Sequence, residues 1–509
     1  MAVFGSSHAG VRDHIPILQR PRLRMAIPGG DVRRSSTEVT RMSALPAPAC
    51  PPAERLNDVH ARLNPTRARV LRPGSVDQAC DAIRASARAG LPLIAAGARH
   101  AMGGQQFLAD GHVLDTAALD RVVAFDPVRG LVTVEAGIRW PALLAWLAAC
   151  PDNTAGWTIR QKQTGADGFS LGGALAANIH GRGLCLAPFV EDVEALVLVD
   201  AQGQRLQASR GERPELFALV AGGYGLFGLV VQLTLRLTRR QTLRRQVSLA
   251  RVGGVQRAFE DAIAQGCTYG DFQFSIDPRS EDFLDLGVLS CYRPVDGAEP
   301  DTPRHLQAED FGRLLVLAHH APSCAFQEYA EFYLATDGQH YASDAQQTGV
   351  YLEDYHTAVD RSLGHCGSEM ITELYVPRGA LARFMGRAAD SLRRHQAEPV
   401  YGTVRLIERE ATSLLAWARQ DWACVVFNLH VQHGPAGVQT AAVAFRALID
   451  DALWFGGSYY LTYHRWATRE QVRAAHPRFA EFLRAKRALD PYGRWQSDWY
   501  RHHAALVTG

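Results

Sequence analysis

Residues 91–104 read LPLIAAGARHAMGG, an apolar run that ends in a glycine-bearing turn. A short apolar strand, Ala68–Leu71, precedes this run, and between them Ala79, Ile83 and Ala87 share one face of a helix. The order strand, helix, strand predicts a β-α-β unit. Because glycine has no Cβ, such a turn lets backbone N–H groups approach an anion closely. We therefore expect the turn to bind an anionic ligand.

Two further glycine-dense segments follow this turn. Residues 164–183 read TGADGFSLGGALAANIHGRG, and residues 221–228 read AGGYGLFG. A strand pair, Val193–Asp200 and Arg205–Ala208, lies between them, and the alternating run Leu229–Leu237 comes after them. Helices and strands mix irregularly, so the predicted fold class is α+β. Three glycine loops in one region indicate a site for a large planar ligand that carries phosphate groups.

Several ligand classes are disfavoured by what the sequence lacks. None of the loops is a G-x-G-x-x-G that opens a helix in a Rossmann unit, and no Gly-Lys-Ser or Gly-Lys-Thr occurs. Lys and Arg total 54 against 52 for Asp and Glu, so the net charge of +2 gives no field that would attract nucleic acid. No apolar run approaches the ~18–20 residues of a membrane span. We expect a small-molecule partner, no nucleic acid, no membrane span and a cytoplasmic location.

The nine cysteines are scattered along the chain. They form no CxxC pair and no short spacing that could share a zinc ion, so no metal site is predicted. An odd count in a chain without a secretory signal also argues against a disulfide scaffold. Buried free thiols in a reducing compartment are the interpretation that remains.

The order of the glycine segments carries a resemblance to a known family. The turn at 97–104, the segment from Ser170 to Gly181, the loop at 222–228 and the terminal Leu489-Asp490-Pro491 look like the landmarks of the FAD-dependent oxidoreductases of the vanillyl-alcohol-oxidase type. The second half resembles more loosely the sugar-oxidising members, such as decaprenylphosphoryl-ribose oxidase and the aldonolactone and alditol oxidases. The resemblance implies a PCMH-type FAD-binding fold.

The domain organisation follows from this resemblance and from shifts in composition. Residues 1–54, rich in Arg, Pro, Gly and Ser, are predicted to be a disordered N-terminal extension. Residues 55–240 would form the two-lobed FAD-binding domain. Residues 241–475 would form an α+β substrate or cap domain with an antiparallel sheet. Residues 476–509 would return to the FAD domain.

The resemblance also implies which residues contact FAD. In the family the first loop holds the pyrophosphate through backbone N–H groups, and a histidine at the position of His100 is covalently bonded to the flavin in many members. The resemblance therefore implies FAD bonded covalently through His100 in this chain. Residues 161–173 contain no cysteine, so a second, cysteinyl bond is rejected. For Gly172 and Gly173, tight packing is as plausible as ligand contact, whereas contact is favoured for Gly223 and Gly225. The candidate cofactor-binding residues are Gly97, Ala98, Arg99, His100, Ala101, Gly103, Gly104, Gly168, Ser170, Gly172, Gly173, Asn178, His180, Gly181, Gly223, Gly225 and Gly228.

Candidate catalytic residues lie in strand-like runs of the second half. Oxidation of a CH–OH carbon requires loss of a hydride and of the hydroxyl proton, so a base or an electrostatic stabiliser must lie over the flavin ring. In the sugar oxidases a cationic residue falls near the position of Tyr463, where this chain has no lysine. His464 is then the expected base and His430 the next choice. The candidates are Glu373, Arg405, His430, Tyr463 and His464.

Structural roles for these residues stay open. Glu373 and Arg405 could form a structural ion pair, and tyrosines such as Tyr463 are more often core than active site. Alternation would place Tyr463 and His464 on opposite faces if their strand persists.

The sequence favours an FAD-dependent oxidase or dehydrogenase that oxidises a CH–OH group of a sugar, polyol or lactone-like substrate. The hydride would pass to flavin N5, and oxygen or another acceptor would reoxidise the cofactor. Two alternatives remain: a flavoenzyme acting on a phenolic or amine substrate, and a flavin-binding protein with little catalysis.

Overall fold

The computed structural model describes residues 51–165, 167–300, 304–349 and 355–508. The predicted N-terminal extension lies, up to residue 50, outside the described residues. Its last two members, Ala53 and Glu54, belong to the first β-strand. No helix in the described part of the chain is long and apolar enough to cross a bilayer.

The strands of the described residues are mostly short in the first half of the chain and mostly longer in the second. They are β1 (Ala53–Leu56), β2 (Thr66–Leu71), β3 (Leu93–Ala96), β4 (His112–Asp115), β5 (Val122–Asp126), β6 (Leu131–Glu135), β7 (Trp157–Thr158), β8 (Val193–Val199), β9 (Arg205–Ser209), β10 (Leu229–Arg236), β11 (Thr238–Arg239), β12 (Thr242–Arg251), β13 (Tyr269–Phe274), β14 (Leu286–Pro294), β15 (His340–Ala342), β16 (Gly367–Pro377), β17 (Pro399–Ile407), β18 (Trp422–Gln432) and β19 (Ser458–Tyr459).

The helices of the described residues cover these strands. They are α1 (Val76–Arg88), α2 (Trp140–Ala149), α3 (Leu171–Ala177), α4 (Pro214–Val220), α5 (Val252–Ala264), α6 (Ala308–His320), α7 (Pro322–Leu334), α8 (Tyr355–Leu363), α9 (Leu381–His395), α10 (Pro435–Trp454), α11 (Arg469–Ala475), α12 (Phe479–Leu489) and α13 (Asp498–Thr508).

The first half builds two larger sheets and a two-stranded sheet of β7 and β11, and the mixture of helices with largely antiparallel strands confirms the α+β class. One sheet has the order β1-β2-β4-β3, in which β2 and β3 each pair in parallel with β4. Helix α1 connects β2 to β3, as predicted. Ser75 caps its first turn by accepting a hydrogen bond from the Gln78 N–H, and Ala79 and Ile83 are buried under the helix. The other sheet has the order β5-β6-β10-β8-β9.

The second half builds one antiparallel sheet of eight strands, in the order β15-β12-β14-β13-β17-β18-β16-β19. Its longest pairing joins β16 to β18 and runs in register from Gly367 opposite Gln432 to Pro377 opposite Trp422. Side chains alternate between the two faces of a strand. Along β16, Ile371 and Glu373 therefore face the first half of the chain, while the intervening residues pack beneath the helices.

The C-terminal segment lies against the first sheet. Trp495 forms a parallel bridge with Leu93, next to the first glycine turn. The Asp490 carboxylate accepts hydrogen bonds from the N–H groups of Arg494 and Trp495 and pairs with the buried Lys486 ammonium at 2.6 Å. A buried carboxylate that is paired and hydrogen-bonded in this way fixes the direction of the chain after α12.

The described residues, from 51 onward, form one compact unit, and the largest group of buried apolar residues contains members from both halves. The predicted boundary between residues 240 and 241 falls just before β12, where the eight-stranded sheet begins. The first lobe, residues 51–240, and the second lobe, residues 241–475, therefore share a core.

Gly137 provides a test of how tightly the first lobe is packed. A Cβ at this position would lie 1.9 Å from the Thr116 carbonyl oxygen, so the backbone must shift to accommodate one. We expect Gly137→Ala to lower the free energy of unfolding by about 1–3 kcal/mol, the usual cost of overpacking. The matched control is Gly386→Ala on the exposed face of α9, where no atom lies within 4 Å.

Alanine at Gly386 should raise the free energy of unfolding by about 0.5–1 kcal/mol, because it restricts the unfolded chain and favours the helix. Denaturant unfolding of both variants measures the difference. Equal stabilities for the two variants would contradict the packing described around Gly137.

Candidate functional site

A long cleft runs between the two lobes and encloses about 1610 Å³ of space, including its open mouth. The first glycine turn, helix α3 with the loop before it, and the loop at 223–230 form the wall contributed by the first lobe. Small side chains and bare backbone dominate this wall. The second lobe closes the cleft with polar side chains. These are Glu373, Arg405, Tyr460, Thr462 and Tyr463.

The first glycine turn presents unpaired backbone donors to the cleft. The N–H groups of Gly97, Ala98 and Arg99 have no hydrogen-bond acceptor among the described residues. Arg99 has a left-handed backbone with φ of 60°. Consecutive amides in such a turn form a concave, electropositive surface that suits a phosphate group.

His100 follows these amides and also lines the cleft. Its Nδ1 lies 2.8 Å from Nε2 of His60, and its ring packs edge-on against Phe169 at a centroid distance of 4.1 Å. Burial, together with the nearby charges of His60 and Arg139, lowers the pKa of His100 to about 2. The imidazole is therefore neutral at physiological pH and held in a fixed orientation.

Several glycines of the cleft wall are required by close contacts within the protein. A Cβ on Gly97 would lie 2.1 Å from Oγ of Ser170, the residue that caps α3. Cβ atoms on Gly172 and Gly223 would meet Ala136 at 2.9 Å and the Leu219 carbonyl oxygen at 2.1 Å. All three glycines line the cleft. The close contacts that exclude a side chain at these positions therefore also leave bare backbone at the cleft wall.

The cleft also contains buried polar atoms that have no hydrogen-bond partner among the described residues. They are the Thr164 hydroxyl, Oε1 of Gln106 and Nε of Arg405. A buried polar atom without a partner costs about 1–3 kcal/mol, so such atoms normally mark a place where a ligand or water binds. Unpaired amides in the first glycine turn and unpaired polar atoms elsewhere in the lining fit a phosphate-bearing, planar cofactor such as FAD.

Glu373 is the centre of the polar wall. Its carboxylate accepts hydrogen bonds from the hydroxyls of Tyr375 at 2.8 Å and Tyr463 at 3.2 Å, and from the Cys424 thiol at 3.2 Å. It also pairs with Nε2 of His180, which comes from the first lobe. Burial raises the pKa of Glu373, but the charge and hydrogen bond of His180 and the charge of Arg405 outweigh it and lower the pKa to about 2. The carboxylate is therefore ionised at physiological pH.

Arg405 lies on β17, at the same wall. Its charge contributes to the lowered pKa of Glu373, yet no ion pair between the two is found in the described part of the chain at the usual 4.0 Å limit. The predicted alternative of a direct structural pair is thus not what the geometry shows. A buried guanidinium with an unpaired Nε can stabilise negative charge on a ligand.

Tyr463 and His464 are placed differently by the structure. Tyr463 lines the cleft, and its hydroxyl donates a hydrogen bond to Glu373. His464 does not line it: its ring packs between those of Tyr459 and Trp466 and against Phe445. Burial lowers the pKa of His464 to about 3. The two side chains do point apart, although β19 ends at residue 459 and no strand continues through them.

His430 also lies away from the cleft. Its Nδ1 is 3.1 Å from the Glu369 carboxylate and its Nε2 is 2.9 Å from His365. Neither proposed histidine base therefore contacts the cleft, because aromatic packing holds His464 and a separate polar cluster holds His430. Of the catalytic candidates, Glu373, Arg405 and Tyr463 are brought together.

Most of the candidate cofactor residues line the cleft, and five do not. Those that line it are Gly97, Ala98, Arg99, His100, Ala101, Ser170, Gly172, Gly173, His180, Gly223, Gly225 and Gly228. The five that do not line it are Gly103, Gly104, Gly168, Asn178 and Gly181. Asn178, for example, ends α3 in a left-handed conformation and accepts a hydrogen bond from the Val190 N–H.

Other cleft residues were not anticipated from the sequence. His60, which bonds His100, comes from the loop between β1 and β2, and Tyr224, Tyr460 and Thr462 complete the wall. His60 carries no motif and lies 40 positions before its partner, so only the folded chain brings the two rings together.

Comparison with known proteins agrees with the fit to FAD. Residues 67–209 match the family described as FAD binding domain. The chain is 25% identical to decaprenylphosphoryl-beta-D-ribose oxidase of Mycolicibacterium smegmatis over 458 residues, which are 86% of this chain and 95% of that protein.

Two lactone dehydrogenases match over shorter stretches. L-gulono-1,4-lactone dehydrogenase of Mycobacterium tuberculosis is 32% identical over 176 residues, 35% of this chain and 39% of that protein. The mitochondrial L-galactono-1,4-lactone dehydrogenase 1 of Oryza sativa subsp. japonica is 32% identical over 134 residues, 26% of this chain and 21% of that protein. The chain thus spans nearly all of the first relative and well under half of the other two.

Residues 67–209 therefore match an FAD-binding domain, and the resemblance to sugar-oxidising FAD enzymes that the sequence predicted is confirmed. The proteins that the chain resembles include a sugar oxidase and lactone dehydrogenases.

The depressed pKa of Glu373 makes stability depend on pH in a defined direction. Because the folded-state pKa of about 2 lies below the usual 4.5, the ionised carboxylate contributes stability that is fully present above pH 4.5 and is lost as the pH falls toward 2. Glu373→Gln cannot ionise, so its stability deficit relative to the wild type should shrink as the pH falls through 4.5.

Denaturant unfolding of the two proteins over a series of pH values measures this deficit. The control is Glu215→Gln, which changes an exposed carboxylate on α4 and should follow the wild type at every pH. A Glu373→Gln deficit that stays constant across the range would show that the carboxylate is not selectively stabilised as an anion.

Proposed function

We propose that the protein oxidises a CH–OH group of a sugar, polyol or lactone-like substrate with FAD bound in the cleft. The observation that carries this proposal is the Glu373 carboxylate, which sits at the cleft wall with His180, Tyr463 and Arg405 around it. When bound, FAD would accept the hydride from the carbinol carbon. The side chains of the chain have to position the hydroxyl and remove its proton.

Tyr463 and Glu373 form the route for that proton. The Tyr463 hydroxyl donates to Glu373, which leaves its oxygen able to accept a hydrogen bond from a substrate hydroxyl. As the hydride leaves, the substrate proton would move to the Tyr463 oxygen and the tyrosine proton to the Glu373 carboxylate. Because the pKa of Glu373 is about 2, the carboxyl group would hold this proton only transiently and pass it on to solvent. Burial raises the pKa of Tyr463 well above its usual value, which favours a relay over a standing phenolate. Arg405 would stabilise negative charge that develops on the substrate oxygen.

A second cavity favours a substrate with an apolar substituent. It is next to the cleft and shares His60, Met102 and Ile371 with it. Its wall is mainly apolar and comes from α6, α7, β13 and β17, with members that include Phe274, Ile276, Phe311, Leu314, Phe326 and Val400. The full-length relative is named for a sugar that carries a decaprenyl-phosphoryl group, so a polyhydroxylated ring at the flavin with an apolar group in the second cavity suits both observations.

The variants Glu373→Gln and His464→Gln test whether removal of the substrate proton depends on Glu373 or on His464. With FAD bound, anaerobic addition of a range of polyols, aldonolactones and alkyl glycosides should bleach the flavin of the wild type for at least one compound. The Glu373→Gln protein should keep its FAD and lose at least about 100-fold in the rate of bleaching, the usual range for removal of general acid–base catalysis. His464→Gln, which changes a residue outside the cleft, should lose less than about tenfold.

The opposite ranking, with His464→Gln inactive and Glu373→Gln active at equal FAD content, would overturn the proposed relay. Bleaching by phenols or amines alone would favour the alternative substrate class, for which Tyr460 and Tyr463 at the cleft wall are the supporting residues. Bleaching by none of these compounds would favour a flavin-binding protein with little catalysis. Peroxide formation on re-exposure to air distinguishes an oxidase from a dehydrogenase.

We further propose that His100 is bonded covalently to the flavin. The support is its position in the cleft wall, its neutral state and the fixed orientation imposed by His60.

Acid precipitation of the wild type should then leave the yellow flavin in the pellet, whereas His100→Ala should release all of it into the supernatant. His112→Gln, a buried histidine of the same lobe that does not line the cleft, is the matched control and should behave as the wild type. Flavin released from the wild type by acid would remove the covalent bond from the account and leave FAD binding intact.

A further inference from the structure

A second polar cluster lies in the second lobe, outside the cleft that would hold FAD. Its centre is the carboxylate of Glu369 on β16, with Nε2 of His319 on α6 and Nδ1 of His430 on β18 each 3.1 Å from Oε1. The rings of the two histidines lie 4.9 Å apart, centroid to centroid, nearly at right angles. One ligand atom from each of the three residues lies within 4.8 Å of the other two.

The cluster is buried and holds polar atoms that have no hydrogen-bond partner among the described residues. The side chains of His319 and Glu369 are each 1% exposed. Glu369 Oε2 and both ring nitrogens of His356 have no partner, and His356 Nδ1 lies 3.8 Å from that Oε2. The three imidazoles and the buried carboxylate therefore carry more polar atoms than they can pair by hydrogen bonds among themselves.

We propose that His319, Glu369 and His430 bind a divalent transition-metal ion of the zinc type, with His356 the nearest donor for a fourth position. Imidazole nitrogen and carboxylate oxygen are preferred ligands of zinc. At a zinc–ligand distance of about 2.0–2.1 Å, tetrahedral ligand atoms lie about 3.3 Å apart, close to the 3.1 Å that separates each histidine nitrogen from Oε1 here. An ion at the centre would take up Oε2 or the His356 nitrogen, which otherwise stay unpaired.

The surroundings of His430 support coordination through its Nδ1. Its Nε2 lies 2.9 Å from Nε2 of His365, and a hydrogen bond at the far ring nitrogen is what orients most metal-bound histidines. The ion would link α6 and α8 to strands β16 and β18 of the eight-stranded sheet. Glu369 also borders the second, apolar cavity, so the ion would fix one wall of that cavity. The proposal does not depend on the reaction at the flavin.

Metal content of the full-length protein with its FAD tests the site. Wild-type protein and variants are exposed to excess Zn²⁺, dialysed against metal-free buffer and analysed by mass spectrometry for zinc per chain. We expect about one zinc per wild-type chain and at least a tenfold loss in Glu369→Gln and His430→Gln. The matched control is His320→Ala, which changes the exposed neighbour of His319 on the same helix and should retain the zinc of the wild type.

Flavin absorbance and circular dichroism show whether each variant is folded. If His430→Gln, which lies in a central strand, does not fold, His319→Gln on α6 replaces it. A wild type that keeps no zinc, or Glu369→Gln and His430→Gln proteins that keep as much zinc as the wild type, would overturn the proposal. Cys424→Ser identifies the alternative source in the second case, because His180, Glu373 and Cys424 at the cleft also lie within ligand distance of one another.

Discussion

The contact between His180 and Glu373 is the interaction on which the account of the cleft depends. His180 follows α3 in the first lobe, Glu373 lies on β16 in the second, and both are buried. A buried carboxylate is costly unless it is paired and hydrogen-bonded, and here an imidazole, two hydroxyls and a thiol converge on it. The same contact therefore holds the lobes together and keeps an ionised group at the cleft wall.

The glycine turns complete the cleft from the other side. Close contacts around Gly97, Gly172 and Gly223 leave no room for a side chain, so the first lobe presents bare backbone where a cofactor would lie. The residues with unpaired amides in the first turn line the cleft from the first lobe, and Arg405 lines it from the second. Small residues are thus needed both for packing and for ligand approach, which is why sequence alone left the two roles of Gly172 and Gly173 open.

Local patterns predicted the parts of the structure that depend on near neighbours. The β-α-β unit of β2, α1 and β3 follows from apolar periodicity and a serine cap, and the alternating run from residue 229 forms β10. The order of the glycine loops predicted the FAD-binding fold. Glu373, Arg405 and Tyr463 were identified because polar residues stood out within strand-like runs.

The features that the sequence did not predict depend on contacts between distant residues. The chain around His464 forms no strand beyond residue 459, and its ring is taken up by Tyr459, Trp466 and Phe445, which no spacing rule anticipates. His319, Glu369 and His430 have no metal-ligand spacing, since a helix and two paired strands bring them together. His180 and Glu373 are 193 positions apart.

The measurement that tests the central claim most directly is the flavin content and absorbance spectrum of the purified full-length protein, before and after incubation with FAD. The account predicts a yellow protein with one FAD per chain, and a colourless protein that takes up no FAD would contradict it.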